Sequence, residues 1–255
     1  MARKQPHLPE AMLPPGHPLS DIVEEAYRTF SYPTPKSTEV CEACCMNTKI
    51  AADFFNPPIR ALPLTYLQDW YSAAYSPNGV SKQIWGYLLP RILEMLAANE
   101  DVCHVGIEVV LKRFDTGNPA HWTRGEWQVL DAFQRAYLGF QMMREEDHLD
   151  DVVCMFRLGG WPLDALLAQV TSAPAALIAR RLWADWCDGL ESIWTTAFWE
   201  KSDNARMLDF YTSRELYDRM EALALSDHVT ADLAAKASAV AGVIETSAHW
   251  SLRHG

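Results

Sequence analysis

Apolar residues recur every three to four positions along most of this chain, the spacing that places them on one face of an α-helix. The clearest run covers residues 81–99, where Pro90 predicts a kink or a restart within one long helix. No hairpin dipeptide separates alternating runs, and no glycine-rich turn leads from a strand into a helix. The pattern therefore predicts an all-α fold, either an irregular multi-helix bundle or stacked helix pairs, with no sheet.

Local start and stop signals set the expected helix bounds. Ser20 is a candidate N-cap for the first helix, and Thr123 with Glu126 forms a capping box that predicts a long helix beginning at Thr123. Valines in the segment 101–114 could favour a strand, but its length and the flanking helices favour a helix. Besides the helix that begins at Thr123, the predicted helices cover residues 20–30, 47–55, 64–75, 81–99, 101–114, 148–158, 162–171, 174–199, 214–225 and 230–252.

The chain divides by composition into a short arm and one large helical region. Five prolines fall within the first 20 of its 255 residues, so residues 1–19 are expected to form an extended N-terminal arm. Residues 20–255 are expected to form a single helical domain, with Gly159-Gly160 as the point at which it would divide. A chain of this size buries enough surface to fold without a disulfide or a metal.

The charge is unevenly distributed along the chain. The net charge is −11, with 14 acids and 11 bases up to Trp127 and 19 acids and 11 bases after it. An acidic protein repels phosphate, so we expect no nucleic-acid partner. No apolar run is long enough to span a bilayer and no signal core follows the N-terminus, so we expect a cytoplasmic protein with no membrane partner.

The cysteines suggest one alternative chemistry. Cys41 and Cys44 have the spacing at which two thiolates chelate zinc from one turn, and Cys45 follows directly. A structural zinc site needs two further ligands, which would be Cys45 with a distant group such as Cys103, His104, His7 or His17. The other interpretations are a redox-reactive pair and free, reduced thiols. We expect no cofactor, with zinc at this cluster as the alternative.

An acidic run precedes and enters the helix predicted at 148–158. Glu145 and His148 also have the spacing used in di-metal bundles, but the motif is not repeated. The run is either a solvated helix end or a negative surface for a basic partner. Its five acids are Glu145, Glu146, Asp147, Asp150 and Asp151.

Tryptophans mark a second candidate contact surface. Four of the ten tryptophans, at positions 183, 186, 194 and 199, fall on the helix predicted at 174–199. Core packing accounts for most tryptophans, but tryptophan beside acids is also typical of binding hot spots. The predicted contact residues of this helix are Trp183, Trp186, Asp185 and Asp188.

The chain lacks the GxSxG, HExxH, P-loop and GxGxxG motifs, so no common catalytic class is indicated and no catalytic residue is predicted. Through the cysteine cluster, the segment 58–67 and the helix segment Leu-Pro-Arg-Ile-Leu-Glu at 89–94, the chain resembles a loose group of bacterial all-α proteins. The resemblance covers about residues 18–100 and implies a helical fold and a bacterial origin.

Some small acidic helical proteins of this kind are encoded beside secreted polymorphic toxins as their immunity partners. The expected function is therefore a non-enzymatic binding protein, an immunity or antitoxin-type inhibitor that neutralises a basic effector toxin through its acidic, tryptophan-containing surface. The alternative is a helical metal-binding protein or metalloenzyme that uses Cys41, Cys44 and Cys45.

Overall fold

A computed structural model describes residues 13–43, 45–144, 147–189 and 191–254. Within these ranges the only β-type pairing is an isolated antiparallel bridge between Val40 and Tyr75, so the predicted all-α fold is confirmed. The α-helices are α1 (Ser20–Thr29), α2 (Thr48–Asp53), α3 (Leu64–Ser72), α4 (Lys82–Ala97), α5 (Arg124–Gln141), α6 (Leu149–Leu158), α7 (Leu163–Ser172), α8 (Ala175–Trp186), α9 (Lys201–Tyr211), α10 (Arg214–Ala224) and α11 (Ala231–His254).

The chain separates into two compact units. Unit 1 comprises Met1–Tyr137 and Leu158–Trp161, and unit 2 comprises Leu138–Arg157 and Pro162–Gly255. None of the helices in the described residues is both long enough and apolar enough to cross a bilayer. The single domain expected over 20–255 stays a prediction.

Helix α4 forms the centre of unit 1. Every residue from Ile84 to Ala97 is buried, and Pro90 lies inside the helix without ending it, as the apolar run predicted. Gly86 leaves room for the ring of Tyr32, because a Cβ at this position would lie 2.6 Å from that ring. Helix α4 is therefore buried on all sides, which is typical of a central rather than a surface helix.

Two buried arginines form hydrogen bonds inside unit 1. Arg91 of α4 donates from Nη1 to Glu94 Oε2 at 2.5 Å, and the Tyr27 hydroxyl donates to the same oxygen at 2.6 Å. Arg113 Nη2 donates to the carbonyls of Trp70 and Tyr71 in the last turn of α3 and to that of Ala73, which follows the helix. These contacts satisfy carbonyl groups that a helix end leaves unpaired.

Three helices form the core of unit 2. Helices α8, α10 and α11 pack against one another, and α6 contributes a continuous buried run from Val152 to Phe156. Trp186 of α8 meets Tyr211 of α9 edge to face, with ring centroids 4.9 Å apart. Burial of these apolar faces provides the main stabilisation of the unit.

The helix predicted over 101–114 is wrong. This segment consists of turns with one short 3-10 helix, Ile107–Val109. Gly106 has a φ of 141°, which an α-helix cannot accommodate, and the Tyr71 hydroxyl donates to the Val110 carbonyl at 2.8 Å. Val110 and Leu111 are buried as their apolar character predicts, so the segment keeps its core role without helical structure.

The helix predicted over 174–199 is too long. Helix α8 ends at Trp186, and Gly189 and Glu191 then have positive φ angles of 88° and 51°, which interrupt helical structure. Helix α9 was not predicted, because its sequence buries only Met207 and Tyr211. Helix α1 begins at Ser20 as predicted, but Leu19 occupies the N-cap position and no side chain caps the helix.

Candidate functional site

The segment 187–200 of unit 2 is held against the start of α6 by Asp150. Asp150 Oδ2 accepts hydrogen bonds from the Thr196 amide at 2.7 Å and from Trp199 Nε1 at 2.8 Å. Burial raises the pKa of Asp150 to about 7, while the hydrogen bonds from Thr196 and Trp199 act in the opposite direction. Asp150 therefore anchors the segment 187–200 from inside unit 2, and the described residues of this segment have no regular secondary structure.

A buried ion pair connects α8 with the chain that enters α6. Arg181 and Asp185 pair through Nη2 and Oδ1 at 2.6 Å and through Nε and Oδ2 at 3.1 Å. Arg181 also donates to the backbone carbonyls of Arg144 and Asp147, and Asp185 Oδ2 accepts from the Leu149 amide at 3.0 Å. The carboxylate of Asp185 thus satisfies a backbone donor at the beginning of α6.

Trp194 lies above this network and is presented to solvent. Its ring stacks on His148 with centroids 4.6 Å apart and an interplanar angle of 21°, and its Nε1 donates to Asp151 Oδ1 at 3.1 Å. His148 Nδ1 lies 3.2 Å from Asp185 Oδ1. Trp194 is nevertheless 37% exposed. We call Trp194, His148 and Asp151 the Trp194 patch.

Three residues that the sequence predicted to lie on a contact surface are buried in the structure. Asp150, Asp185 and Trp186 are only 2%, 4% and 1% exposed, so they support the fold from inside and present no side chain to a partner. Asp150 precedes buried Val153 and Cys154 by three and four positions, which places all three on the inner face of α6. This spacing in the sequence indicated that Asp150 is buried, but the acids around it favoured the prediction of a surface position.

The remaining predicted contact residues differ in their surroundings. Asp188 is exposed, while Asp147 and Asp151 are half-buried. Trp183 is also half-buried, with the Lys236 ammonium 4.6 Å from its ring centroid. Glu145 and Glu146 lie outside the described residues. Trp194 itself was not among the predicted contacts, and the helix on which the sequence placed it ends eight residues earlier.

The cysteine cluster shows no assembled metal centre in the described part of the chain. Cys41 and Cys45 are half-buried, Cys103 is buried, and Cys44 lies outside the described residues. His104 is exposed and its Nδ1 lies 3.2 Å from Asp101 Oδ2. Among described residues no group of three or more histidine, cysteine or acidic side chains could hold a metal ion, and the zinc alternative stays a prediction.

The geometry assigns the polar groups of the Trp194 patch to holding an aromatic side chain in place. Both oxygens of Asp185 accept hydrogen bonds from Arg181, so this carboxylate is already engaged where it meets His148. One face of the Trp194 ring is covered by His148 and its indole nitrogen is bound by Asp151.

The chain matches no protein-family model, and comparisons with the curated proteins and with the solved structures find no match either.

Proposed function

We propose that the protein is a non-enzymatic binding protein that recognises a basic protein partner through the Trp194 patch. In its concrete form it is a cytoplasmic immunity or antitoxin-type protein that neutralises a basic effector toxin. The observation that carries the proposal is an exposed tryptophan in an acidic unit whose ring stacks on His148 and whose indole nitrogen donates to Asp151. Partner contacts therefore centre on Trp194 rather than on Trp186.

Pre-organisation of the tryptophan supports a binding role. An exposed side chain ordinarily loses rotamer freedom when a partner immobilises it, which reduces affinity. The stack on His148 and the hydrogen bond to Asp151 already fix the Trp194 ring in the free protein. Tryptophan is also among the side chains most enriched in interface hot spots. A partner that contacts this ring gains apolar burial at low entropic cost.

The charges on the same segment favour a basic partner. Asp188 and Glu191 are exposed and form no ion pair or hydrogen bond through their side chains within the described ranges. The nearby buried cation Arg181 is neutralised by Asp185. Acidic side chains around an aromatic anchor accelerate association with a basic surface and disfavour acidic competitors. The guanidinium group of arginine is a suitable contact because it both pairs with carboxylates and stacks on indole.

The binding test uses a nona-arginine peptide as a probe, measured by isothermal titration calorimetry. We expect Trp194→Ala to weaken affinity about tenfold or more, which is about 1.4 kcal/mol. Trp194→Phe should retain most of the affinity, because phenylalanine keeps an aromatic face above His148. The double variant Asp188→Lys/Glu191→Lys should weaken binding and reduce its dependence on salt.

The matched control is Asp227→Lys, which changes the charge at an exposed acid on another segment. The loss of affinity is divided by the change in net charge for each variant. If this value is as large for Asp227→Lys as for the double variant, net charge alone attracts the peptide, and the Trp194 patch is not its binding site. Circular dichroism of each variant distinguishes loss of binding from loss of folding.

The toxin-inhibitor form is tested with a basic effector encoded beside the gene for this chain. Co-expression of the chain should restore growth of cells that produce the effector, and Trp194→Ala should abolish this protection while Trp194→Phe retains it. Protection that does not depend on Trp194 would contradict the proposed contact surface. Binding of the peptide without any protection would retain the binding role and reject the inhibitor.

A further inference from the structure

A cleft in unit 2 shares no residue with the Trp194 patch and has the features of a small-molecule site. It has a volume of about 330 Å³ and lies among α7, α9 and α10. Its floor contains the buried side chains of Leu167, Ile178 and Leu216, and the half-buried ring of Phe210 forms part of the wall. This volume falls at the lower end of the range for ligand pockets, so it suits a compact molecule rather than a partner helix.

The two arginines of the cleft are already engaged. Arg206 of α9 donates from Nε and Nη2 to Asp164 Oδ1 at 3.3 and 3.2 Å. Arg219 of α10 donates from Nη1 and Nη2 to the carbonyls of Thr171 and Ala173, each at 2.7 Å. These carbonyls lie at the C-terminal end of α7, which carries partial negative charge. The charge of Arg206 is therefore paired with Asp164, and both terminal nitrogens of Arg219 are bound by carbonyls.

Two carboxylates of the same cleft take no part in these contacts. Asp209 near the end of α9 and Glu215 in the first turn of α10 both line the cleft and are exposed. Neither side chain forms an ion pair or hydrogen bond in the described part of the chain. An apolar floor with unpaired carboxylates at its edge is complementary to an apolar molecule that carries one positive charge.

We propose that this cleft binds a small organic cation with an apolar body and a protonated amine. The apolar body contacts Leu167, Leu216 and Phe210, and the ammonium group pairs with Asp209 and Glu215. An organic anion is disfavoured because the cleft is lined by three carboxylates, Asp164, Asp209 and Glu215, against two arginines. The site is independent of the proposed partner surface, so either proposal can fail without the other.

The test compares three probes of similar size with the folded protein: 2-phenylethylamine, 2-phenylethanol and phenylacetate. Isothermal titration calorimetry should give an affinity for the amine at least tenfold above that for the alcohol, and no measurable binding of the acid. The double variant Asp209→Asn/Glu215→Gln should lower the affinity for the amine to that for the alcohol. Rising salt should weaken binding of the amine only.

A filling variant and a charge control complete the experiment. Ala168 is an exposed residue that lines the cleft, so Ala168→Phe should occupy the space and abolish binding of amine and alcohol alike. Asp227→Asn removes an exposed acid outside the cleft and should leave all affinities unchanged. Equal affinity for the three probes, absence of binding, or binding that persists in the double variant would each overturn the proposal.

Discussion

Asp150 shows how a single carboxyl group can carry both a structural role and a pH dependence. Its two strong hydrogen bonds fix Thr196 and Trp199, while Tyr211 lies close to it and Asp151 is a neighbouring acid. Burial disfavours the charged form more than these donors stabilise it, so the pKa lies at about 7 instead of 3.8. The group that orders the Trp194 segment is consequently one whose ionisation weakens the fold.

We expect the free energy of unfolding to decrease as pH rises from 5 to 8. A carboxyl group with a pKa of about 7 when folded and 3.8 when unfolded binds its proton more tightly in the folded state. The stabilisation is present at low pH and is lost as pH rises through 7. Urea unfolding at several pH values measures the slope, and Asp150→Asn should make it shallower.

The comparison with Asp150→Asn separates Asp150 from the other titrating groups. Every other titratable side chain is the same in the two proteins, so a difference between their pH profiles comes from Asp150. The pKa of Glu126 is lowered, so its contribution changes only below about pH 4.5 and does not affect this window. Parallel profiles for the two proteins would show that Asp150 is not the source of the slope.

At the scale of elements, a reciprocal capping contact marks the beginning of α5. The Glu126 carboxylate accepts from the Thr123 amide at 2.8 Å, and the Thr123 hydroxyl accepts from the Glu126 amide at 3.3 Å. The capping box read from the sequence is therefore confirmed. Glu126 also accepts from the Tyr32 hydroxyl at 2.6 Å, so a local motif also fixes a distant segment of unit 1.

Two glycines should respond to alanine in opposite directions. Gly139 lies within α5, and no atom lies within 4 Å of the place that a Cβ would occupy, so Gly139→Ala should stabilise the protein by about 0.5–1 kcal/mol. Gly160 follows α6 with a φ of 103°, and a Cβ would collide with the Asp115 carboxylate. Gly160→Ala should destabilise by about 1–3 kcal/mol.

Thermal unfolding of both variants measures the two effects. Gly189 is a suitable control, because it has a φ of 88° but no neighbouring atom within 4 Å of an added Cβ. Its alanine variant should show only the cost of the backbone conformation. Equal losses at Gly160 and Gly189 would mean that the contact with Asp115 has no measurable effect.

At the scale of the whole molecule, two compact units each have an apolar core of their own. Unit 1 is built around α4, and unit 2 around α8, α10 and α11. Burial on this scale is sufficient for folding without covalent or metal cross-links. Apart from the buried Asp150 and Asp185, the described acids in the second half of the chain are exposed or half-buried, so we expect their excess charge to affect association rather than folding.

We therefore expect the protein to keep its helical structure when metal ions are removed. Far-ultraviolet circular dichroism before and after dialysis against a chelator and a reducing agent should be unchanged, because the helices of both units are held by side-chain packing. Cysteine-to-serine replacement at Cys41 and Cys45 is the matched control. A helical signal that collapses on chelation and returns with zinc would favour the metal-binding alternative.

The amino-acid sequence by itself determined the helical class and most helix positions, because periodic apolar residues and capping residues act over a few neighbouring positions. It correctly predicted α4 despite Pro90, the start of α5 at its capping box, and α6, α7, α10 and α11 to within a few residues. Local signals failed at 101–114 and 187–200, where positive φ angles and hydrogen bonds from distant residues replace helical structure.

Only the tertiary structure decided which acids and tryptophans face solvent. Asp150 and Trp194 are 44 positions apart in the sequence, yet both belong to the region where segment 187–200 meets the start of α6. The sequence predicted Asp150 as surface and placed Trp194 on a helix. Burial and exposure here depend on long-range hydrogen bonds, and the composition of a short window contains no information about those partners.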